Sequence, residues 1–166
     1  MNLSLKRTIF GHKAFVSVQI RRIAKVRGIN SNLKDGKHIL MWEWDITERQ
    51  PVEDAIKVAQ ARWGLPDVYL VSSHPAGGFH AYCFKAVTFT SALHIVSGTA
   101  WIDPAYLRMS CIRQHMTLRL TDKGQGPPSY VDILPGYGQP TANYTDLASW
   151  VEYETYAKKS GILFKP

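Results

Sequence analysis

The sequence is poor in cysteine and has no long apolar run. Cys83 and Cys111 lie in apolar or strand-like surroundings without the spacing of metal ligands. We therefore expect buried free thiols in a reducing cytosol, and no zinc site built from these two residues. No apolar stretch approaches the length of a membrane span, and no signal-peptide pattern opens the chain.

Acidic residues are missing from the start of the chain, where the first acid is Asp35. The whole protein has a net charge of +7. The basic residues that precede Asp35 include Lys6, Arg7, Lys13, Arg21, Arg22, Lys25 and Arg27. This charge predicts that the basic segment 1–37 contacts a polyanion, usually nucleic acid, as an arm or a first strand. The alternative is a solvated basic surface. A strand predicted at 15–20 favours a folded N-terminus.

The composition excludes a disordered chain. Of the 166 residues, 45% are hydrophobic and 20% are charged, which is typical of a globular protein with a substantial core. We expect residues 1–166 to form one compact α+β domain.

Hydrophobic periodicity and turn residues predict the order strand, helix, strand, strand, helix. This is the beginning of the β-α-β-β-α-β unit of ferredoxin-like or RNA-recognition sheets. The expected elements are a strand at 38–46, a helix from Thr47 to Gly64, strands at 68–73 and 79–85 around a turn at 74–78, a helix from Thr90 or Ser91 to Gly98, strands at 112–121 and 130–134, and a last helix at 145–159.

Two acids lie one residue apart in the strand at 38–46. Side chains on a strand alternate between faces, so Glu43 and Asp45 share one face while Trp42 and Trp44 share the other. Adjacent carboxylates repel each other unless a cation or a proton neutralises them, and Mg²⁺ prefers such oxygen ligands. The alternative is a solvent-facing pair on an edge strand.

Two short segments could complete a site. The turn before His80 contains Gly77 and Gly78, whose amides could hold a phosphate while His80 donates to a phosphate oxygen. The alternative is a plain hairpin. Asp103 follows an apolar pair and precedes Pro104. By itself this Asp-Pro pair is typical of a helix N-cap.

A strand with a cationic face is predicted after Asp103. Its alternating residues on that face are Arg113, His115, Thr117, Arg119, Thr121 and Lys123. Arginine and lysine suit a triphosphate whose charge metal ions also neutralise. The alternative is a solvated basic strand.

Together these segments resemble the archaeo-eukaryotic primase superfamily, which includes the primase-polymerases. The resemblance spans about Met41 to Lys123, roughly half of the chain. The residues similar to its motifs are Glu43 and Asp45, then Ser72, Ser73 and Gly78 to His80, then Asp103, and downstream Tyr106, Arg113, Arg119 and Lys123. The chain departs from the usual motifs in placing the glutamate before the aspartate and in having Gly78 two residues before the histidine, where serine is common.

The resemblance implies a two-metal nucleotidyltransferase, a DNA-directed primase or polymerase of a minimal viral or plasmid type. It implies that Glu43, Asp45 and Asp103 are catalytic and hold two Mg²⁺ or Mn²⁺ ions. The implied nucleotide-binding residues are Ser72, Ser73, Gly78, His80, Arg113, Arg119 and Lys123. The implied partners are a single-stranded DNA template, an NTP or dNTP and a replicative helicase in trans, in the cytoplasm or a host's nucleoid, without a membrane.

Two other functions are compatible with a sheet of this type. One is a non-catalytic RNA-recognition-like module that binds single strands or nucleotides by base stacking. The basic, aromatic signature of that module does not occur here. The other is a replication-initiator endonuclease, which needs a His-hydrophobe-His triplet. His74, His80, His94 and His115 are too scattered to provide one.

Overall fold

The computed structural model describes the backbone of residues 2–9, 12–19 and 23–156, and the side chains of 23–154. The described chain is α+β, with antiparallel sheets and three α-helices. The strands are β1 Asn2–Ile9, β2 His12–Gln19, β3 Ile23–Asn30, β4 His38–Trp44, β5 Val68–Ser72, β6 Phe79–Val87, β7 Thr117–Arg119, β8 Ser129–Leu134 and β9 Trp150–Tyr156. The helices are α1 Arg49–Trp63, α2 Phe89–Ser97 and α3 Pro104–Arg113, with a short 3₁₀ helix at Tyr144–Asp146.

A four-stranded sheet has the order β4-β6-β5-β8, and all its neighbours are antiparallel. The predicted succession β4, α1, β5, β6, α2 is present along the chain. β4 and β5 flank β6 and are therefore parallel to each other, joined by the α1 crossover. The fourth strand, β8, lies beside β5 at the edge away from β4.

The tryptophans of β4 fix one face of this sheet against the helices. Trp42 and Trp44 are fully buried, and their rings stack with centroids 6.5 Å apart. Trp42 Nε1 donates to Thr99 Oγ1 at 3.0 Å, and Trp44 Nε1 donates to the Ala100 carbonyl at 3.0 Å. Both indole donors are therefore satisfied in the core, as buried polar groups require. The alternation predicted for β4 leaves Glu43 on the opposite face.

α1 ends as predicted and begins one residue later than predicted. Gly64 is its C-cap with φ 55°, a left-handed conformation that glycine adopts at little cost. The N-cap is Glu48 rather than Thr47. Thr47 instead packs on the glycine turn, where a Cβ added to Gly77 would lie 2.7 Å from Thr47 Cγ2. α2, by contrast, begins earlier than predicted, because Thr88 is its N-cap and Thr88 Oγ1 accepts from the Ser91 amide at 3.2 Å.

The prediction for 112–121 was wrong over its first part. Residues up to Arg113 belong to α3, and the strand is only Thr117–Arg119. Asp103 caps α3 and Pro104 occupies its first turn, so the local cap signal outweighed the alternation of the residues that follow. Gln114, with φ 59°, ends the helix and turns the chain toward β7.

The predicted last helix was also wrong. Residues 144–146 form a 3₁₀ turn capped by Asn143, and the chain then enters β9. β9 pairs with β3 from Ile29↔Trp150 to Ile23↔Tyr156. Aromatic and β-branched residues such as Trp150 and Val151 suit a pleated surface, and this pairing overrode the helical pattern. Residues 157–159 of the predicted helix lie outside the described chain.

Three smaller expectations can be compared with the structure. The strand predicted at 15–20 falls within β2 as far as Gln19, and Ile20 lies outside the description. Cys83 is buried, as predicted, and burial raises the pKa of its thiol to about 12. Cys111 is exposed on α3, so the prediction of a buried thiol was wrong there.

Among the described residues, none of the helices is long and apolar enough to cross a membrane.

A second sheet has the order β7-β3-β9, with β3 paired on both sides. Gly28 of β3 lies opposite both Arg119 and Val151. A Cβ built on Gly28 would lie 2.6 Å from the Leu118 carbonyl oxygen, closer than real Cβ contacts. The close approach of these two backbones therefore requires glycine at this position.

Replacement of Gly28 should destabilise the fold. We expect Gly28→Ala to lower the free energy of unfolding by about 1–3 kcal/mol, because the added methyl group forces β3 and β7 apart. Urea unfolding followed by circular dichroism measures the change. Lys25→Ala, an exposed site on the same strand, is the control and should stay within about 0.5 kcal/mol of the wild type. Equal stability of both variants would contradict the packing argument.

Candidate functional site

The centre of the candidate site is a cross-strand pair between β4 and β6. Glu43 and His80 lie directly opposite each other in the antiparallel register. His80 Nε2 lies 3.6 Å from Glu43 Oε1, which is too long for a hydrogen bond but close enough for electrostatic attraction. The His80 side chain is fully buried, whereas that of Glu43 is 25% exposed. Glu43 is therefore the side of the pair that faces outward.

Two cationic side chains, Arg119 and Lys123, act on the Glu43 carboxylate. Burial by itself raises the pKa of this carboxyl, but the interaction with His80 and the charges of Lys123 and Arg119 outweigh burial. The pKa of Glu43 consequently lies below its ordinary value. The carboxylate is held ionised at neutral pH, which a metal ligand or a partner of a cationic group requires.

Asp103 lies beside Glu43 through the backbone. Its amide donates to the Glu43 carbonyl at 3.0 Å. Its carboxylate also caps α3: Oδ1 accepts from the Ala105 amide at 2.8 Å, and Oδ2 accepts from the Tyr106 amide at 3.3 Å. The predicted N-cap is therefore confirmed, and it occurs at the residue that the motif resemblance selects as the third acid.

Asp45 lies beyond the end of β4, which stops at Trp44, and is exposed. Glu43 and Asp103 are thus joined by a backbone hydrogen bond, whereas Asp45 lies in the exposed residues that follow β4. Within residues 23–154, no three His, Cys, Asp or Glu side chains are gathered closely enough to hold a metal ion as they stand.

Arg119 reaches this site from β7. Its guanidinium donates to the Ser73 carbonyl and, through Nη1 at 3.2 Å, to the Thr121 carbonyl. Arg119 is only 6% exposed, and this burial lowers the pKa of the guanidinium, against the attraction of Glu43. A buried cation close to an anionic carboxylate gives the site both signs of charge.

The glycine turn supports the site through its own backbone. The Gly78 amide donates to the Ile46 carbonyl at 2.9 Å, and the Gly77 amide donates to the His74 carbonyl at 3.1 Å. Gly78 has φ 83°, which favours glycine. These two amides are used within the protein, so they are not the free amides that could hold a phosphate.

Three other predicted nucleotide-binding residues lie at the margin. The hydroxyls of Ser72 and Ser73 donate to the carbonyls of His74 and Gly77, at 3.1 and 3.3 Å, and so shape the turn. Arg113 is the last residue of α3 rather than part of a strand, and it is exposed. The positive charge of Arg113 acts on Tyr153, where it lowers the pKa of the phenol against the effects of desolvation and Glu43.

Three tyrosines interact with Glu43, and two of them, Tyr82 and Tyr153, are not among the predicted site residues. Tyr82 and Tyr106 are buried, whereas Tyr153 of β9 is exposed; for each, desolvation and then the charge of Glu43 raise the pKa of the phenol. Tyr106 was included through the resemblance. Tyr82 is recognisable from the sequence pattern, because it follows His80 by two residues on a strand and therefore shares its face.

Several buried polar atoms around Glu43 are without hydrogen-bond partners among the described residues. They are both ring nitrogens of His80, the Tyr82 hydroxyl and Arg119 Nε. Buried polar groups are nearly always paired in folded proteins, and an unpaired one costs about 1–3 kcal/mol. A polar ligand that reached this site would supply the missing partners.

The net positive charge of the protein does not come from residues 23–154. Residues 23–154 contain 12 lysines and arginines and 13 aspartates and glutamates. The positive excess therefore belongs to the two ends of the chain. The side chains of 1–22, which carry most of the predicted basic segment, lie outside the described residues.

Comparisons with protein-family models, with curated proteins and with solved structures give no match. The resemblance to the primase superfamily thus stays a prediction based on the motifs.

The ionised state of Glu43 predicts a pH-dependent contribution to stability. Because its pKa is lowered in the fold, the carboxylate stabilises the folded state above its ordinary pKa and loses this effect as pH falls through the lowered value. Glu43→Gln should therefore be less stable than the wild type at pH 7, with the difference shrinking toward about pH 3. Urea unfolding across this range measures it. Asp45→Asn removes the same charge from an exposed neighbour, and an identical pH profile for both variants would contradict the prediction.

Proposed function

We propose that this protein transfers a nucleotide from an NTP or dNTP to a 3′-hydroxyl on a single-stranded DNA template. The observation that supports this proposal is the convergence of separately predicted segments on Glu43. His80 is its cross-strand partner, Asp103 is its backbone neighbour, and Arg119 and Lys123 act on its charge. We interpret the succession from β4 to α2 as a modified RNA-recognition-like unit that carries these residues.

The donor chemistry fits divalent metal ions. Glu43 is held ionised, and each oxygen of Asp103 keeps a lone pair beyond its capping bond. Glu43, Asp45 and Asp103 would hold Mg²⁺ or Mn²⁺. The ions, when bound, would activate the 3′-hydroxyl and neutralise the leaving pyrophosphate.

The remaining residues would bind and orient the triphosphate. Arg119 and Lys123 supply positive charge that acts on the Glu43 carboxylate, which favours the phosphates of a nucleotide over a neutral ligand. The unpartnered atoms of His80 and Tyr82 suit phosphate or sugar oxygens. The contribution of the protein is therefore positioning and charge neutralisation, without a covalent intermediate. A cytoplasmic location and a helicase partner accord with this activity.

A second candidate function is a non-catalytic module that binds nucleotides or single strands. The observation that favours it is the use of both Asp103 oxygens in capping α3. A residue that serves only as a cap needs no charge, whereas a metal ligand does. The two functions therefore make different predictions for an uncharged capping residue.

Variants of Asp103 distinguish the two candidates. Asparagine caps a helix about as well as aspartate, whereas alanine costs about 1 kcal/mol. If Asp103 holds a metal, Asp103→Asn should keep the stability of the fold but lower nucleotide incorporation on the order of 100-fold or more. Incorporation of labelled ribo- and deoxynucleotides on single-stranded DNA with Mg²⁺ or Mn²⁺ is the measurement.

Glu43→Gln and Asp45→Asn should lose incorporation as Asp103→Asn does. Glu48→Gln, which changes an exposed acid at the N-cap of α1, is the matched control and should retain it. Full incorporation by both Glu43→Gln and Asp103→Asn would exclude the proposed transferase. Nucleotide or single-strand binding without incorporation by the wild type would favour the binding module.

The Tyr82 hydroxyl predicts opposite effects on stability and binding. Because this hydroxyl is buried without a partner among the described residues, Tyr82→Phe should leave the melting temperature unchanged or raise it. The same change should weaken triphosphate binding about 3- to 10-fold, the value of one hydrogen bond. Calorimetric titration and thermal unfolding measure the two effects.

Tyr106→Phe is the matched control for this test. The Tyr106 hydroxyl donates to the Met41 carbonyl at 3.0 Å, so its loss should destabilise the fold by about 1 kcal/mol. Unchanged triphosphate affinity in Tyr82→Phe would show that this hydroxyl does not contact the nucleotide.

A further inference from the structure

A small cavity opens at one side of the four-stranded sheet, away from Glu43. Its volume is about 190 Å³. Its walls include Pro66, Tyr69, Phe84, Pro140 and Tyr144, with the Asp67 carboxylate among the lining groups. Tyr69 and Phe84 meet edge to face, with ring centroids 5.7 Å apart. Three aromatic rings, those of Tyr69, Phe84 and Tyr144, therefore form part of the lining.

The cavity belongs to the same sheet face as the candidate site. Tyr69 lies directly opposite Tyr82 in the β5–β6 register, and Phe84 follows Tyr82 by two residues. Directly opposite residues, and residues two apart on a strand, share a face. The face that carries His80 and Tyr82 thus continues into the wall of the cavity.

The loop from β8 to β9 closes the other side of the cavity. The amides of Thr141 and Ala142 both donate to the Phe84 carbonyl, at 2.9 and 3.1 Å. Tyr144 follows in the 3₁₀ helix and is 75% exposed. Its ring is therefore held near the cavity by an anchored loop while much of it stays open to solvent.

The size and charge of the cavity select the chemistry of its ligand. Cavities for drug-sized ligands usually measure about 300–1,000 Å³, so this one suits a single ring system rather than a whole nucleotide. The negative charge of Asp67 disfavours a phosphate. Its Oδ2 can accept a hydrogen bond from an amino group, because the hydrogen bond from the Gly136 amide uses Oδ1. A heterocyclic base with ring nitrogens and amino groups has these properties.

We propose that this cavity binds an unpaired base of the template strand whose neighbouring nucleotides cross the candidate site. This inference rests on the proposed function. Aromatic side chains hold single strands by stacking, because every base has a π-face. The cavity would thereby fix the path of the template across the sheet.

The spacing agrees with a short single-strand site. Phe84 lies four residues after His80 on β6, or about 14 Å away at ~3.4 Å per residue. About four stacked nucleotides span that distance at ~3.4 Å each. A single OB-fold domain, another small β-sheet domain that binds single strands, covers roughly 4–16 nucleotides, so one strand can occupy the cavity and the site together.

Two exposed tyrosines allow a matched test. Tyr144 lines the cavity, whereas Tyr137 is similarly exposed in the same loop region but is not among the lining residues. The affinity of the full-length protein for a fluorescent single-stranded DNA 12-mer is measured by anisotropy, without added metal. Tyr144→Ala should weaken binding on the order of fivefold or more. Tyr144→Phe, which keeps the ring, and Tyr137→Ala should bind within twofold of the wild type.

Salt and free nucleotide separate stacking from other causes. Stacking releases no counterions, so Tyr144→Ala should lower the affinity by a similar factor at every salt concentration and leave the salt slope unchanged. Its affinity for free dATP should match that of the wild type, because the triphosphate binds at the other end. An equal loss in Tyr144→Ala and Tyr137→Ala, or a loss confined to free dATP, would overturn the inference.

The strand-binding test of the cavity can be interpreted separately from nucleotide incorporation. Weakened strand binding in Tyr144→Ala, together with a wild type that incorporates no nucleotide, would support the cavity and overturn the proposed transferase. Incorporation by the wild type with unchanged strand binding in Tyr144→Ala would do the reverse. A wild type that binds no single strand would overturn both.

Discussion

The two-faced character of β4 is the constraint on which the rest of the structure depends. Trp42 and Trp44 are buried against the helices, and their indole nitrogens are bound by Thr99 and Ala100. Because strand side chains alternate, burial of these two rings directs Glu43 to the opposite face. Slippage by one residue would put a carboxylate into the hydrophobic core, which costs far more than the pairing could recover. The tryptophans thus determine where the acid lies.

Burial of Glu43 then requires compensation, and this explains the surrounding residues. Desolvation works against its charge, while His80, Lys123 and Arg119 together lower its pKa. The hydrogen bonding of this cluster is nevertheless incomplete. Polar atoms of His80, Arg119 and Tyr82 are buried without partners among the described residues. A purely structural cluster would gain stability by pairing them. Sites that bind ligands commonly tolerate such atoms, which is why we interpret this region as functional.

Sequence reasoning succeeded where the signal was local and failed where distant strands competed. The β4 alternation, the Gly64 cap and the Asp103 cap depend on a few neighbouring residues, and all three are present. The segment 150–156 was assigned to a helix, but pairing with β3, more than a hundred residues earlier in the chain, made it a strand. Arg113 was placed on a strand by alternation, although the cap at Asp103 commits it to a helix. Propensity is a weak prior that such tertiary pairing overrides.

The sequence by itself determined the face on which Glu43 lies, the succession from β4 to α2 and the caps at Gly64 and Asp103. These follow from alternation, caps and turn residues, which act over a few positions. Only the tertiary structure decided that His80 lies opposite Glu43, that Asp103 bonds to its backbone, and that Arg119 reaches the Ser73 carbonyl. Sheet register and loop packing bring these residues together. Neither can be read from local spacing, because contacts between distant segments depend on the packing of the whole core.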